Sequence, residues 1–183
     1  MDVIKSFIGC AVVLLLSSCF LVTGKDEKLT MDRVPNDSRK LRLDGYFIRP
    51  SCDSKKQDCI YNLFFLFRNG ILFTTGVVAF DKKQLDKIRD STLSKEFISR
   101  NANVKFNWGV YQIEGNNIVF EKWYHSGKNY TYVKSGLVLN DTTFVILSSK
   151  RSHWPEEGSE EVKETYHFVE FHNKPDSTTV FIE

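Results

Sequence analysis

Histidine side chains are the first groups to test for chemistry, because they serve both as metal ligands and as general bases. Two of the four histidines, His167 and His172, lie five residues apart and would point to opposite faces of a strand. No histidine pair has the spacing that holds zinc on a helix, and no nucleophile elbow, phosphate-binding loop or EF-hand loop occurs. We therefore expect no catalytic motif, metal site or cofactor, although two carboxylates distant in sequence could still form a glycosidase pair.

Acidic residues cluster near the end of the chain, at Glu156, Glu157, Glu160, Glu161 and Glu164. A calcium site needs several oxygen ligands that converge on one point, and a run of this kind does not supply that convergence by itself. We expect this run to form an exposed, solvated loop between two strands.

Four aromatic residues, Trp108, Tyr111, Trp123 and Tyr124, lie on two adjacent extended runs, so they can meet across a hairpin. One interpretation is a lining for an apolar or sugar-like ligand inside or at the mouth of a β-barrel. The other is ordinary core packing, because eight-stranded barrels are often filled by side chains. Core packing is the favoured interpretation.

The first 18 residues have the organisation of an export signal. Lys5 precedes an uncharged apolar stretch at residues 7–16, and small residues precede Cys19. The apolar stretch is shorter than the roughly 20 residues that a membrane-spanning helix needs. A cleaved signal is therefore favoured over a single anchor helix.

The sequence Leu16-Ser17-Ser18-Cys19 resembles the lipobox of bacterial lipoproteins. The resemblance implies that residues 1–18 are a signal peptide and that Cys19 is acylated at the mature N-terminus, which would hold the protein on a membrane of the cell envelope. The outer membrane is the expected location, on its periplasmic or its surface face. Lys25-Asp26-Glu27 faintly resembles the acidic surface-export signal of Bacteroidetes-type lipoproteins, with a solvated linker as the plainer alternative.

Residues 19–40 are expected to form the lipidated N-terminus and a flexible tether, because residues 23–40 are polar and charged and follow neither a strand nor a helix period. Beyond them, Cys52 and Cys59 flank a polar run. An exported chain meets an oxidising compartment, so we expect a disulfide that closes a small loop, with two free thiols as the alternative.

Composition predicts a single globular domain over residues 41–183. The chain has 183 residues, of which 42% are hydrophobic and 26% charged, and it is rich in aromatic residues, with 15 Phe and 7 Tyr. The net charge of +2 and the lack of a basic stripe argue against a nucleic-acid partner.

Eight short runs rich in β-branched and aromatic residues predict an all-β fold. Residues such as Asn69-Gly70 and Gly115-Asn116 separate successive runs and favour tight hairpins, so neighbouring strands should pair antiparallel. Closure into an up-and-down (meander) β-barrel would remove the exposed edges. The runs are residues 41–48, 60–68, 71–80, 104–113, 118–125, 130–139, 143–149 and 164–171, with 178–182 as a possible ninth strand.

One inserted helix is predicted at about residues 82–99, between the third and fourth strands. Asp81 is a suitable N-cap, and Leu85 and Ile88 begin an apolar edge at helical spacing. The second strand is apolar on both faces, so this helix is expected to cover its outer face.

The hairpin series LRLDGYFI, YNLFFLFRNGILF and NWGVYQIEGNNIVFEKWY resembles the pattern of small bacterial lipoproteins with a calycin-like, lipocalin-type β-barrel. The resemblance covers residues 41–183 and implies the barrel fold. The favoured function is a non-enzymatic envelope lipoprotein that binds a small apolar or amphiphilic ligand in its barrel. The alternative is a structural or protein-interaction accessory with a solid barrel, and an enzyme comes third. A carrier needs an internal cavity, an accessory an exposed apolar patch, and an enzyme a cleft with converging polar groups.

Overall fold

The computed structural model describes residues 26–52, 59–79, 93–126, 128–153 and 158–183. Strands dominate these residues, together with helix α1 (Lys95–Ala102) and a short 3-10 helix (Lys105–Asn107). The strands are β1 (Gly45–Cys52), β2 (Cys59–Leu66), β3 (Ile71–Ala79), β4 (Trp108–Glu114), β5 (Asn117–Ser126), β6 (Lys128–Asn140), β7 (Thr143–Arg151) and β8 (Glu160–Glu170).

The eight strands form a closed antiparallel barrel in meander order. Each strand pairs with its neighbours along the chain, and β1 pairs with β8 to close the sheet. Gly70 and Gly115 have φ angles of 80° and 59°, in the left-handed region that tight turns require and that glycine adopts readily. The predicted up-and-down barrel of eight strands is confirmed.

The inserted helix lies partly where it was predicted. Residues 82–92 of the predicted helix lie outside the described residues, and the described helix runs three residues past the predicted end at 99, to Ala102. The Ser94 hydroxyl caps it by accepting a hydrogen bond from the Phe97 amide at 3.3 Å. The predicted start of the fourth strand, residues 104–107, is not strand: Val104 precedes the 3-10 helix Lys105–Asn107, in which the Asn107 side chain donates to the Asn101 carbonyl at 2.9 Å.

Side chains of the barrel form two cores, one on each face of the sheet. Inward-pointing residues such as Phe47, Phe64 and Phe144 fill the interior, where the Phe47 and Phe144 ring centroids lie 5.0 Å apart. Outward-pointing residues of β1–β5, such as Phe65 and Trp108, form an outer layer that α1 and the terminal segments cover. As predicted, β2 is buried on both faces, over residues 63–66, and Phe97 and Ala102 of α1 pack against the outer layer.

The first predicted strand begins later than expected, at Gly45, because the residues before it close one end of the barrel. Leu41 is buried in the interior core. We call this the closed end, and the opposite end, where β1 stops at Cys52 and β2 starts at Cys59, the open end. The predicted disulfide is confirmed there, since Cys52 and Cys59 occupy paired positions and their sulfur atoms are bonded at 2.01 Å.

The possible ninth strand at residues 178–182 is not a strand. Phe181 and Ile182 pack instead against the outer layer. Lys174 holds the C-terminal segment to the closed end, where its ammonium donates to the Leu43 carbonyl at 2.7 Å and also to the Leu66 carbonyl.

The described part of the predicted tether is held along the barrel instead of standing free of it. We call residues 26–36 the N-terminal strap. The amides of Thr30 and Met31 both donate to a carboxylate oxygen of Glu121 at 2.7 Å. Farther along, the Asn36 amide donates to the Arg68 carbonyl at 2.7 Å. Pairing with distant acceptors, which a local sequence pattern cannot reveal, fixes this polar segment.

Candidate functional site

The four aromatic residues predicted as a possible ligand lining do not form one surface. Trp108 and Trp123 point outward, and their indole nitrogens donate at 2.7 Å to the carbonyls of Ala102 and of Glu27, respectively. Tyr111 lies in the interior core near the closed end. Tyr124 is the one member of the set that lines a cavity in the barrel interior.

Tyr111 is a packing residue with both of its hydrogen-bonding functions used. Its hydroxyl donates to the Phe67 carbonyl at 2.8 Å and accepts from the Asn36 side chain at 3.0 Å. Burial raises the pKa of Tyr111 to about 12. It therefore joins the N-terminal strap to the interior core and is not part of a binding surface.

A cavity of about 240 Å³ lies inside the barrel at its open end. Inward-pointing side chains are apolar towards the closed end and become polar here, as Ile118 and Phe120 give way to Lys122 and Tyr124 along β5. The other residues that matter for its chemistry are Arg49, Asn62, Phe64, Lys134 and Tyr166.

Lys122 is a buried lysine without a counter-ion. Its side chain lies on the interior face of β5, the residue is 9% exposed, and its ammonium lies 4.5 Å from the centre of the Tyr124 ring. Within the described part of the chain, no hydrogen bond or ion pair reaches this ammonium. Burial, with repulsion from Lys134 added to it, lowers the pKa of Lys122 to about 7.

Glu164 is the carboxylate that lies nearest to these cations. The Lys134 ammonium donates to both of its oxygens at 2.9 Å, the Tyr166 hydroxyl donates at 3.0 Å, and Arg49 lies 3.7 Å away. Burial is the largest single influence and would raise the pKa of Glu164, but the hydrogen bonds and charge of Lys134, the charge of Arg49 and the hydrogen bond from Tyr166 together outweigh it, so the pKa is lowered. The Glu164 carboxylate is therefore paired with Lys134, Tyr166 and Arg49.

This position corrects the expectation of a solvated acidic loop. Glu160, Glu161 and Glu164 belong to β8, and Glu164 faces the interior, whereas Glu156 and Glu157 lie outside the described residues. Alternation along a strand sends every second side chain inward. A glutamate at an inward position then becomes an ion-pair partner of Lys134.

Arg49 and Tyr124 keep hydrogen-bonding capacity free at the cavity. The buried Nε of Arg49 finds no acceptor among the described residues. The Tyr124 hydroxyl likewise makes no hydrogen bond there, and burial followed by the charge of Glu164 raises its pKa, so that it keeps its proton at neutral pH. Buried polar groups are normally satisfied, so the buried and unpaired Nε of Arg49 favours a group in this cavity that would accept from it.

None of the four histidines lines the interior cavity. The histidines lie elsewhere: His153 contacts the Lys28 carbonyl at 3.0 Å on the outside of the barrel, His125 stacks on Phe106 with ring centroids 5.5 Å apart, and His167 and His172 are exposed. Across the described ranges, no three His, Cys, Asp or Glu side chains converge as a metal ion would require.

A larger groove, of about 560 Å³, runs on the outside of the barrel between the strap and the C-terminal residues. Its lining carries charges of both signs, and two of them, Lys105 and Asp26, form an ion pair at 3.0 Å. The interior cavity is the better candidate site because its cations outnumber the carboxylate available to them.

Comparison with known proteins gives no relative from which a function can be carried over. No protein-family model, curated protein or solved structure matches the chain. Within the described ranges, no helix has the length and apolar character to cross a membrane.

Sequence reasoning missed Arg49, Lys122, Lys134 and Glu164 as site residues. A signal for Lys122 was present in β5, where it continues the period-two series that Ile118 and Phe120 begin. A lysine in register with core residues is an inward-pointing charge. No comparable signal marked Arg49 or Glu164, because their meeting depends on the pairing of β1 with β8 across the closure of the barrel.

Proposed function

We propose that the protein is a lipid-anchored lipoprotein of the bacterial envelope whose barrel binds a small amphiphilic molecule at its open end. The observation that carries this proposal is the interior cavity, which combines an aromatic wall of Phe64 and Tyr166 with the unpaired ammonium of Lys122. Ligand sites are typically concave and largely apolar, with a few placed polar groups. The cavity has the concave shape and an aromatic wall, while the rest of its lining is more polar than in such sites, which favours an amphiphilic ligand.

The size of the cavity limits what it accepts. Its 240 Å³ lies a little below the roughly 300–1,000 Å³ of sites for drug-sized ligands. It would therefore take a small molecule, or one end of a longer molecule that extends out of the barrel. The sequence alone allowed either an apolar or an amphiphilic ligand. The proposal keeps only the amphiphilic one, because a wholly apolar ligand would leave Lys122 buried and unpaired.

Native mass spectrometry of the mature chain that starts after Cys19, purified from a bacterial periplasm, tests this proposal. That chain keeps every residue that the structure describes. We expect an extra mass that is lost on denaturation. We also expect the mass to be absent from Gly76→Leu, which fills the cavity at a position where an added Cβ meets one atom of Ile60, at 3.6 Å, and no other atom within 4 Å.

The matched control for Gly76→Leu is Lys163→Met, which changes an exposed residue of β8 and should leave the extra mass in place. A bare wild-type protein, or an extra mass that Gly76→Leu retains, would contradict ligand binding in the barrel.

One observation favours the alternative function, an accessory that docks an envelope protein. Leu137, Leu139 and Leu147, on the adjacent strands β6 and β7, are 38%, 59% and 42% exposed. Exposed apolar patches often mark interaction sites. This function predicts a cross-link to an envelope protein that Leu139→Lys abolishes and Gly76→Leu leaves intact.

A further inference from the structure

The charges around the interior cavity are out of balance. Arg49, Lys122 and Lys134 line it, and no carboxylate does so among the described residues. Glu164 lies beside Lys134 and Arg49, where it accepts two hydrogen bonds from Lys134. Of these three cations, Lys134 and Arg49 share the one carboxylate, and Lys122 has no carboxylate partner.

An unpaired buried ammonium is costly unless a partner of opposite charge joins it. The Tyr124 ring can stabilise the charge of Lys122, since its centre lies 4.5 Å from that ammonium, but the ammonium of Lys134 lies 5.8 Å from the same centre. Two ammonium groups on one ring repel each other. A bound anion would stabilise both of them and would accept hydrogen bonds from them.

We infer that the ligand of the barrel carries a compact oxyanion, a carboxylate or a phosphate group, that binds against Lys122 at the open end. This inference rests on the proposed function and specifies the polar end of its ligand. Lys122 makes the direct ion pair, while the free Nε of Arg49 and the Tyr124 hydroxyl are further donors at the same cavity.

The apolar part of the ligand would lie against the aromatic wall. Phe64 and Tyr166 are in edge contact, with ring centroids 4.7 Å apart, and Phe120 packs on Phe64 at 5.4 Å. These rings are buried members of the interior core. Because the cavity is small, a compact anionic head group, such as a carboxylate or a phosphate, fits better than a bulky polar head group would.

The test is isothermal titration of the mature chain that starts after Cys19, so that no bilayer competes for the probes. The probes are octanoate, octyl phosphate, the neutral octan-1-ol, and inorganic phosphate as a head group without a chain. On the wild-type protein we expect octanoate or octyl phosphate to bind at least about tenfold more tightly than octan-1-ol, as a charge-assisted contact provides. This comparison needs no variant.

Two variants assign the effect to Lys122. Lys122→Met keeps the length of the side chain and removes a buried charge, so the fold should persist, and we expect it to bind the anionic and the neutral probes equally. Lys163→Met, on the exposed face of β8, should keep the wild-type preference. A preference for the anionic probes that survives in Lys122→Met would overturn the assignment to Lys122.

The remaining outcomes separate the inference from the function on which it rests. If octan-1-ol binds wild type as tightly as octanoate does, the anion preference is wrong while binding of an amphiphile stands. If inorganic phosphate binds as tightly as octyl phosphate, the oxyanion site stands, and the proposal that the barrel binds an amphiphile is wrong. If none of the four probes binds, both are wrong.

Discussion

At the scale of single residues, Lys122 determines how the empty barrel responds to pH. Folding places its ammonium among Arg49 of β1, Tyr124 of its own strand, Lys134 of β6 and, on β8, the Glu164 and Tyr166 pair. Its pKa falls from 10.5 in the unfolded chain to about 7 in the folded protein, mainly through burial. Between these two values the unfolded state binds more protons, so the contribution of Lys122 to stability rises with pH.

We therefore expect the difference in unfolding free energy between wild type and Lys122→Met to change with pH. At pH 6 the variant should be at least as stable as wild type, because the charge that it removes is buried and unpaired. Between pH 7 and pH 9 the unfolding free energy of wild type should rise relative to that of the variant, by at most about 1.4 kcal/mol per pH unit. Urea unfolding at pH 6, 7.5 and 9 measures this difference.

Lys163→Met serves as the control for the pH experiment, since its side chain is exposed and its effect on stability should not vary in this range. A constant difference between wild type and Lys122→Met from pH 6 to pH 9 would contradict the proposed environment of Lys122. Octanoate at saturating concentration should remove most of the pH dependence, because a bound anion keeps the lysine protonated.

At the scale of elements, the N-terminal strap depends on Glu121. This residue is 0% exposed, and one of its oxygens accepts from the amides of Thr30 and Met31. In Glu121→Ala both amides lose their acceptor, so we expect a loss of about 2 kcal/mol in unfolding free energy. Hydrogen exchange should speed up at these two amides and remain slow in the strands.

Glu161→Ala is the matched control for the strap, because Glu161 is exposed on β8 and, among the described residues, has no hydrogen bond or ion pair to residues 26–36. Unchanged exchange at Thr30 and Met31 in Glu121→Ala would show that other contacts hold the strap. Glu27 is the first alternative, since its carboxylate is paired with Arg151 and accepts from the Thr131 amide at 2.8 Å.

The disulfide between Cys52 and Cys59 links β1 to β2 and should stabilise the fold. Cys52 and Cys59 close a loop over a sequence separation of 7, and a cross-link of this length restricts the unfolded chain enough to stabilise the fold by about 2 kcal/mol. We expect the double substitution Cys52→Ser, Cys59→Ser to lower the midpoint of thermal unfolding by roughly 4–8 °C. A reductant should lower the wild-type midpoint equally and leave the variant unchanged; a wild-type midpoint that does not respond would contradict the prediction.

At the scale of the whole molecule, the fold was predictable where its determinants are local. Alternation within each strand and the turn residues between strands predicted eight strands and their closure, and Cys52 and Cys59 predicted their own pairing. The strap and the cavity were not predictable in this way. Thr30 and Glu121 are 91 positions apart in the sequence. The position of Lys122 along the barrel axis depends on the register of all the strands together.

The course of the strap also sets how the barrel would stand on a membrane. Asp26 contacts Asn129 at 2.9 Å, beside the turn between β5 and β6 at the open end. The proposed anchor at Cys19 is seven residues earlier, which spans at most about 25 Å. An anchored protein would therefore keep its open end near the lipid surface, where amphiphiles are available.

Paramagnetic broadening in nanodiscs that contain a nitroxide-labelled lipid tests this orientation. We expect the amide signals of His125 and Asn129, at the open end, to broaden more than those of Asn116 and Asp141, at the closed end. The chain without its lipid, added to the same nanodiscs, should show no such gradient. Stronger broadening at the closed end of the anchored protein would contradict the orientation.

The central claim, that the barrel interior is the binding site, is tested most directly by intermolecular nuclear Overhauser effects between octanoate and the protein. The account predicts contacts from the methylene protons of octanoate to the rings of Phe64, Tyr124 and Tyr166. Contacts confined to the outer groove at Met31 and Phe181, with none to the interior rings, would contradict it.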